Sequence, residues 1–172
     1  SGRRVMAGAK QRVEQQPAWV LHTYPWRETS LIVEIFARDH GRVALVAKGA
    51  RRPHSQLRGV LMAFQPLLMD WSGGGEVKTL VRAEWQGGQP LLTGRALICG
   101  YYLNELLVRL TAREDAHPRL FSAYADAVRA LGRGEPESPI LRRFELALLQ
   151  DLGYEAGLAH EGDSGEPVRP EG

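Results

Sequence analysis

The sequence predicts an α+β protein, a small five-stranded β-barrel followed by an α-helical domain. Three observations lead there. Up to Trp85, short runs of β-forming residues alternate with turns marked by Gly, Pro and Asp. Residues 86–90 (QGGQP) break that pattern. From Thr93 onward the apolar spacing lengthens from two to about 3.6 residues. At 172 residues, 44% hydrophobic and 24% charged, the chain is ordinary for a globular protein and long enough to bury a proper core.

Residues 1–16 are basic and lack the apolar core of a signal peptide, so they read as a disordered tail, with Met6 a candidate natural start. Residues 18–24 are rich in β-formers, and residues 30–37 (SLIVEIFA) form a near-continuous apolar run. Asp39-His40-Gly41 is a tight hairpin signal. The third strand follows, with Val43, Leu45 and Ala47 alternating against Arg42, Ala44, Val46 and Lys48. A helical turn is expected over residues 55–61 and a fourth strand over 66–71. Residues 72–75 (SGGG) are the strongest turn signal in the chain, and residues 76–85 read as the fifth strand. Five short strands with a helical segment between the third and fourth match a Greek-key barrel. The OB fold is the commonest such barrel that binds nucleic acid, and an SH3-like barrel is its rival. These boundaries give an OB-fold domain over 17–85 and a linker over 86–92.

The helical domain is expected over 93–154. Its first helix, residues 93–112, carries Ile98, Tyr102, Leu106 and Leu110 on one stripe with Leu103 and Leu107 beside it, a width that implies burial on more than one side. Asn104 and Glu105 within it read as edge residues or as holders of a neighbouring strand. His117-Pro118 opens a second helix, with core stripe Phe121, Tyr124, Val128 and Leu131 and a stop at Gly132. Ser138-Pro139 opens a third, expected to run to Leu152 and stop at Gly153, with Leu141, Phe144, Leu148 and Leu152 as its core stripe. A second stripe holds Arg142, Leu146 and Leu149. One reading is a seat for an acidic peptide with an apolar end. The other has both leucines in the core and Arg142 paired with a local Glu. Residues 155–172 read as a flexible tail, or as the place where the chain was cut.

Charge is unevenly spread. Residues 1–85 hold 13 Lys+Arg against 7 Asp+Glu, and residues 86–172 hold 9 against 13, within a net charge of +2. No acid lies between Asp39 and Asp70, a stretch that contains Arg42, Lys48, Arg51, Arg52, His54 and Arg58. A basic strand and loop with small residues (Ala47, Gly49, Ala50) let a polyanion backbone come close. The alternative is a solvated loop whose arginines find carboxylates elsewhere in the fold.

Several chemistries are disfavoured. Cys99 is the single cysteine, so there is no internal disulfide and no Cys-based zinc site, and its apolar setting reads as a small buried hydrophobe. The phosphate-loop, dinucleotide, nucleophile-elbow and zinc-protease motifs are missing. The five histidines are scattered, and the barrel segment offers few carboxylates for a two-metal site. No apolar run is long enough for a membrane span. The chain reads as a cytoplasmic binding protein without a cofactor, not as an enzyme.

Residues 19–52 (WVLHTYPWRETSLIVEIFARDHGRVALVAKGARR), then FQPLL, GEVKTL, YYLNELLVRL and LRRFELALLQDLGY, closely resemble the bacterial RecO family of recombination mediators. The likeness covers most of residues 19–154 as separate blocks in the right order. It implies an OB-fold domain followed by a helical domain and binding of single- and double-stranded DNA. It also implies annealing of complementary strands and, with RecR, loading of RecA onto DNA coated by single-strand binding protein. Many members carry a four-cysteine zinc module after the segment matching Leu152-Gly153-Tyr154. This chain has His160 and no cysteine there, so it resembles the zinc-free proteobacterial branch. The family continues for several more helices, so the chain reads as its N-terminal portion.

Carried onto these residues, the resemblance makes Lys48, Arg51 and Arg52 the leading DNA contacts, with Arg27, Arg42 and Arg58 in support. Tyr24 and Trp26 sit in the loop between the first two strands, one of those through which OB folds bind oligonucleotides. Trp26 stacks a base or packs over the barrel end; both readings stand. For the acidic, apolar C-terminal tail of single-strand binding protein, the resemblance points to Arg142, Leu146 and Leu149, with Arg143 adjacent. Rival readings are a non-enzymatic OB-fold adaptor acting through protein partners, and an RNA-binding module.

Overall fold

The computed structural model describes residues 11–164, with side chains as far as residue 153. Five strands close into a barrel: β1 (Arg12–Trp26), β2 (Ser30–Ala37), β3 (Gly41–Ala47), β4 (Leu67–Ser72) and β5 (Val77–Trp85). Their order is β1-β2-β3-β5-β4, with β4 returning to β1. Every pairing is antiparallel except that of β3 with β5. A short helix, α1 (Leu57–Val60), sits between β3 and β4, and α2 (Gly94–Leu110), α3 (Pro118–Gly132) and α4 (Glu137–Ser164) follow the barrel. This is the OB-fold arrangement with an appended helical part. Among the described residues no helix is long and apolar enough to cross a membrane.

Two cores explain the sequence pattern. Val20, Val33, Ile35, Val43, Leu45, Leu67, Met69 and Trp71 fill the barrel. Trp19, Leu21 and Phe36 point outward and pack with Leu103, Leu107, Tyr124, Val128 and Phe144 of the helices. β2 therefore reads as a continuous apolar run because both of its faces are covered. Tyr124 stands at the joint, its ring edge-on to Trp19 and Phe36 and close to Phe144. Its hydroxyl donates to Asn104 Oδ1, and Asn104 Nδ2 donates to the Leu21 carbonyl at 3.2 Å. Asn104 thus holds a neighbouring strand, while Glu105 is exposed and pairs with Arg109 at 2.8 Å.

The joint is close-fitting. Gly41 has φ +70°, and a Cβ there would lie 2.1 Å from the Asp115 carbonyl oxygen. Glu114 N–H donates to the Arg42 carbonyl at 2.8 Å, and Lys78 pairs with Glu114 at 2.8 Å. The loop between α2 and α3 is thereby fastened to the barrel wall. The segment after β5 is also anchored, since Gln89 Nε2 donates to the Val128 carbonyl at 3.1 Å.

Five expectations are corrected. Tyr24 and Trp26, expected in the loop between the first two strands, lie within β1, paired with Ile32 and Ser30 of β2. Of the tail expected over 1–16, residues 12–16 belong to β1, where Arg12, Val13 and Gln16 pair with β4; residues 1–10 lie outside the described residues. On α2 the buried stripe is Gly100, Leu103, Asn104 and Leu107, whereas Ile98, Tyr102 and Leu110 are exposed. α4 passes through Gly153 and runs to Ser164, so the tail expected over 155–172 is helical that far; residues 165–172 lie outside the described residues. A glycine inside a helix costs only about 1 kcal/mol, so Gly153 alone does not stop it. The fifth correction concerns Arg42.

Candidate nucleic-acid interface

The chain leaves β3 at Ala47 and turns immediately. Ala50 is buried in the barrel core, so its neighbours are forced outward. Arg52 N–H donates to the Gly49 carbonyl and Ser55 N–H to the Arg52 carbonyl, both at 3.0 Å, which keeps the turn compact. Lys48, Arg51 and Arg52 are all exposed as a result.

This turn is joined to the β1–β2 turn, residues 27–29. Arg51 N–H donates to the Thr29 carbonyl at 2.8 Å. Its guanidinium NH1 donates to the carbonyls of Arg27 and Glu28 at 3.2 and 3.3 Å. Those acceptors are neutral, so the Arg51 charge is not cancelled. Arg27, at φ +55°, sits with its guanidinium 5.6 Å from the Trp26 ring centroid. Trp26 is 41% exposed and Tyr24 40%, so neither is sealed against the barrel end. Arg58 is exposed on α1. Among the described residues, none of Arg27, Lys48, Arg51, Arg52 and Arg58 forms an ion pair with a carboxylate. One acid, Glu28, shares the turn.

Arg42 does not belong to this group. It is 9% exposed. Its NH1 donates to Glu34 Oε1 at 3.1 Å, and its Nε and NH2 donate to the Thr111 carbonyl at 3.1 and 2.6 Å. Burial pulls this guanidinium below the usual arginine range, Glu34 opposes that shift, and Arg113 adds to it. Arg113 also donates to Glu34 Oε1, at 2.8 Å. Cations at the barrel–helix joint are thus consumed by Glu34 and Glu114, while those at the loop end keep their charge.

On α4, Arg142, Leu146 and Leu149 share one exposed face, the leucines being 55% and 65% exposed. The leucines are therefore not core, although Arg142 does pair with Glu145 Oε1, at 2.7 Å. Glu145 Oε2 accepts the Tyr102 hydroxyl of α2. Arg143 turns the other way and lines a cavity of about 150 Å³ between α3 and α4, together with Ala127, Ile140 and Ala147. The sequence reading placed Tyr102 on an apolar stripe of α2 and allowed Arg142 a local Glu without naming Glu145. The spacing of Glu145 from Arg142, three residues along a helix, was the signal that could have named it.

Comparison with known proteins fits this architecture. Residues 12–88 match the family description "Recombination protein O N terminal", and residues 91–171 match "Recombination protein O C terminal". The chain is 82% identical to a protein named DNA repair protein RecO from Aromatoleum aromaticum over 161 residues, covering 94% of this chain and 67% of that relative.

The chain belongs to the RecO family.

A RecO of Azoarcus sp. is 79% identical over 160 residues, covering 93% of this chain and 66% of the relative. One from Ralstonia nicotianae is 60% identical over 166 residues, covering 96% and 61%. The chain thus spans about two thirds of the length of these RecO relatives, all of which are named as DNA repair proteins. The RecO N-terminal match coincides with the barrel, and the C-terminal match begins just before α2.

Proposed function

We propose that this chain is the DNA-handling part of a recombination mediator. It binds single- and double-stranded DNA through phosphate contacts and anneals complementary strands. The observation that carries this reading is the group of exposed cations Lys48, Arg51, Arg52, Arg27 and Arg58, which no described carboxylate neutralises. Annealing requires two polyanions held close together. A cationic surface displaces the counterions of both without reading their bases. Trp26 and Tyr24, exposed beside that surface, supply sequence-tolerant stacking, worth roughly 1–3 kcal/mol per base.

The exposed stripe of Arg142, Leu146 and Leu149, with Arg143 on the flank, receives the acidic, apolar C-terminal tail of single-strand binding protein. An incoming carboxylate competes with Glu145 for Arg142. With RecR as partner, the assembly displaces single-strand binding protein and loads RecA. None of these steps calls for a catalytic group or a cofactor in this chain.

The experiment is annealing of complementary oligonucleotides by the chain and by its Lys48→Ala/Arg51→Ala/Arg52→Ala variant. The variant should lose DNA binding and annealing together. Unchanged affinity would move the site elsewhere. Preferential binding of RNA, or of no nucleic acid, would favour an RNA-binding module or a protein adaptor.

A further inference from the structure

Beside the cationic loops, between the outer face of β1 and β2 and the side of α2, lies a cavity of about 440 Å³. His22 and Tyr24 form one wall. They stand on the same face of β1 with ring centroids 5.8 Å apart, and both are exposed. Tyr101 contributes from α2; it is 55% exposed, and its ring is braced edge-on by Phe64 at 5.2 Å. The rest of the lining includes two carboxylates, Glu34 and Glu105, and two guanidiniums, Arg109 and Arg113. Glu34 is 5% exposed, and its Oε1 receives Arg42 and Arg113. Its Oε2 accepts no hydrogen bond from the described residues.

This lining selects its ligand. Glu105 pairs with Arg109 and Glu34 with Arg113, each at 2.8 Å, so the lining offers a phosphate no uncommitted positive charge. A cationic ligand gains little, because Glu34 already faces two guanidiniums. A flat, neutral ring with an N–H donor on its edge suits aromatic walls and an unused acceptor. An unpaired nucleobase has that chemistry. The cavity is also placed to meet one. Tyr24 is two residues from Trp26, and His22 lies four residues from it, roughly 13 Å along the strand.

We propose that this cavity receives one unpaired base of the strand held on the cationic loops. The base stacks against Tyr24 and Tyr101, and its exocyclic amino group donates to Glu34 Oε2. The proposal rests on the phosphate-binding reading above and adds a path for the strand, from Lys48 past Trp26 and Tyr24 toward α2. Adenine, cytosine and guanine carry that amino group; thymine has only its ring N3–H, flanked by two carbonyl oxygens that a carboxylate repels. Because Oε2 is screened from solvent, the amino group reaches it as a lining side chain gives way. Arg113, with its side chain 44% exposed, is placed to do so.

The test is equilibrium binding of the full chain, at one salt concentration, to equal-length oligo-dC, oligo-dT and an abasic sugar–phosphate strand. All three carry the same number of phosphates. Oligo-dC should bind about tenfold tighter than the abasic strand, near the low end for base–aromatic stacking, with oligo-dT between them. Tyr101→Ala should erase most of the oligo-dC advantage. Tyr101→Phe should keep it, which separates lost stacking from disturbed packing on Phe64. Equal binding of oligo-dC and oligo-dT, or an oligo-dC advantage untouched by Tyr101→Ala and lost only with Trp26→Ala, overturns the proposal. Failure of the phosphate reading looks different: Lys48→Ala/Arg51→Ala/Arg52→Ala would then bind all three strands as tightly as the parent chain.

Discussion

Arg42 and Glu34 meet diagonally across the β2–β3 ladder in an ion pair of 3.1 Å, with side chains only 10% and 7% exposed. The remaining Arg42 donors reach the Thr111 carbonyl just beyond the end of α2. The pair therefore ties the barrel to the helices. Its cost in desolvation is offset only while every donor finds an acceptor.

Glu34→Ala should destabilise the protein by about 3–5 kcal/mol, because it strands a buried guanidinium. Arg42→Ala should also lower stability, with less loss because Glu34 keeps Arg113. In the Arg42→Ala variant the DNA affinity of the folded fraction should not fall. Chemical denaturation alongside DNA titration checks this. Weakened binding at unchanged stability would return Arg42 to the DNA surface.

Asn104 is the polar fastener of the joint, bonded to the Leu21 carbonyl and the Tyr124 hydroxyl in a closed environment. Burial pushes the Tyr124 phenol above its usual range, so it stays protonated and remains a donor. Asn104→Ala leaves both partners unpaired, at roughly 1–3 kcal/mol for each. The thermal midpoint should fall markedly. A midpoint equal to that of the parent would mean that the joint is held by apolar packing alone.

Arg142→Ala and Leu149→Ala address the face of α4. The Arg142–Glu145 pair is exposed on the Arg142 side, so its loss should change stability by no more than about 1 kcal/mol. Affinity for an acidic peptide with an apolar C-terminal end should drop about tenfold or more, with DNA affinity kept. Fluorescence anisotropy with both ligands decides it. Parallel loss of both would indicate general unfolding.

The barrel was legible in the sequence because β3 and β5 alternate, β1 and β2 are rich in β-formers, and the β2–β3 and β4–β5 turns carry Asp or Gly. β2 was found with the same bounds as in the structure, residues 30–37. The polar residues 12–16 were not recognised as strand, since their partners lie on β4 more than fifty residues away. On α2, two adjacent rows are both apolar, and periodicity alone does not say which one faces the core. Gly100 and Asn104 mark the buried row, but only their contacts with Phe64, Leu21 and Tyr124 reveal it. The cationic residues of 48–52 were legible as a cluster. That Arg42 is consumed was not, because its acceptors come from residue 34 and from residue 111. An acid-free stretch of sequence is not an acid-free neighbourhood in the fold.

The measurement that bears most directly on the central claim is DNA affinity as a function of salt. If Arg27, Lys48, Arg51, Arg52 and Arg58 each neutralise a phosphate, log K against log salt should fall with a slope of about −3.5 on single strands and −4.5 on duplex. A slope near zero would contradict the account, because binding would then owe nothing to these charges.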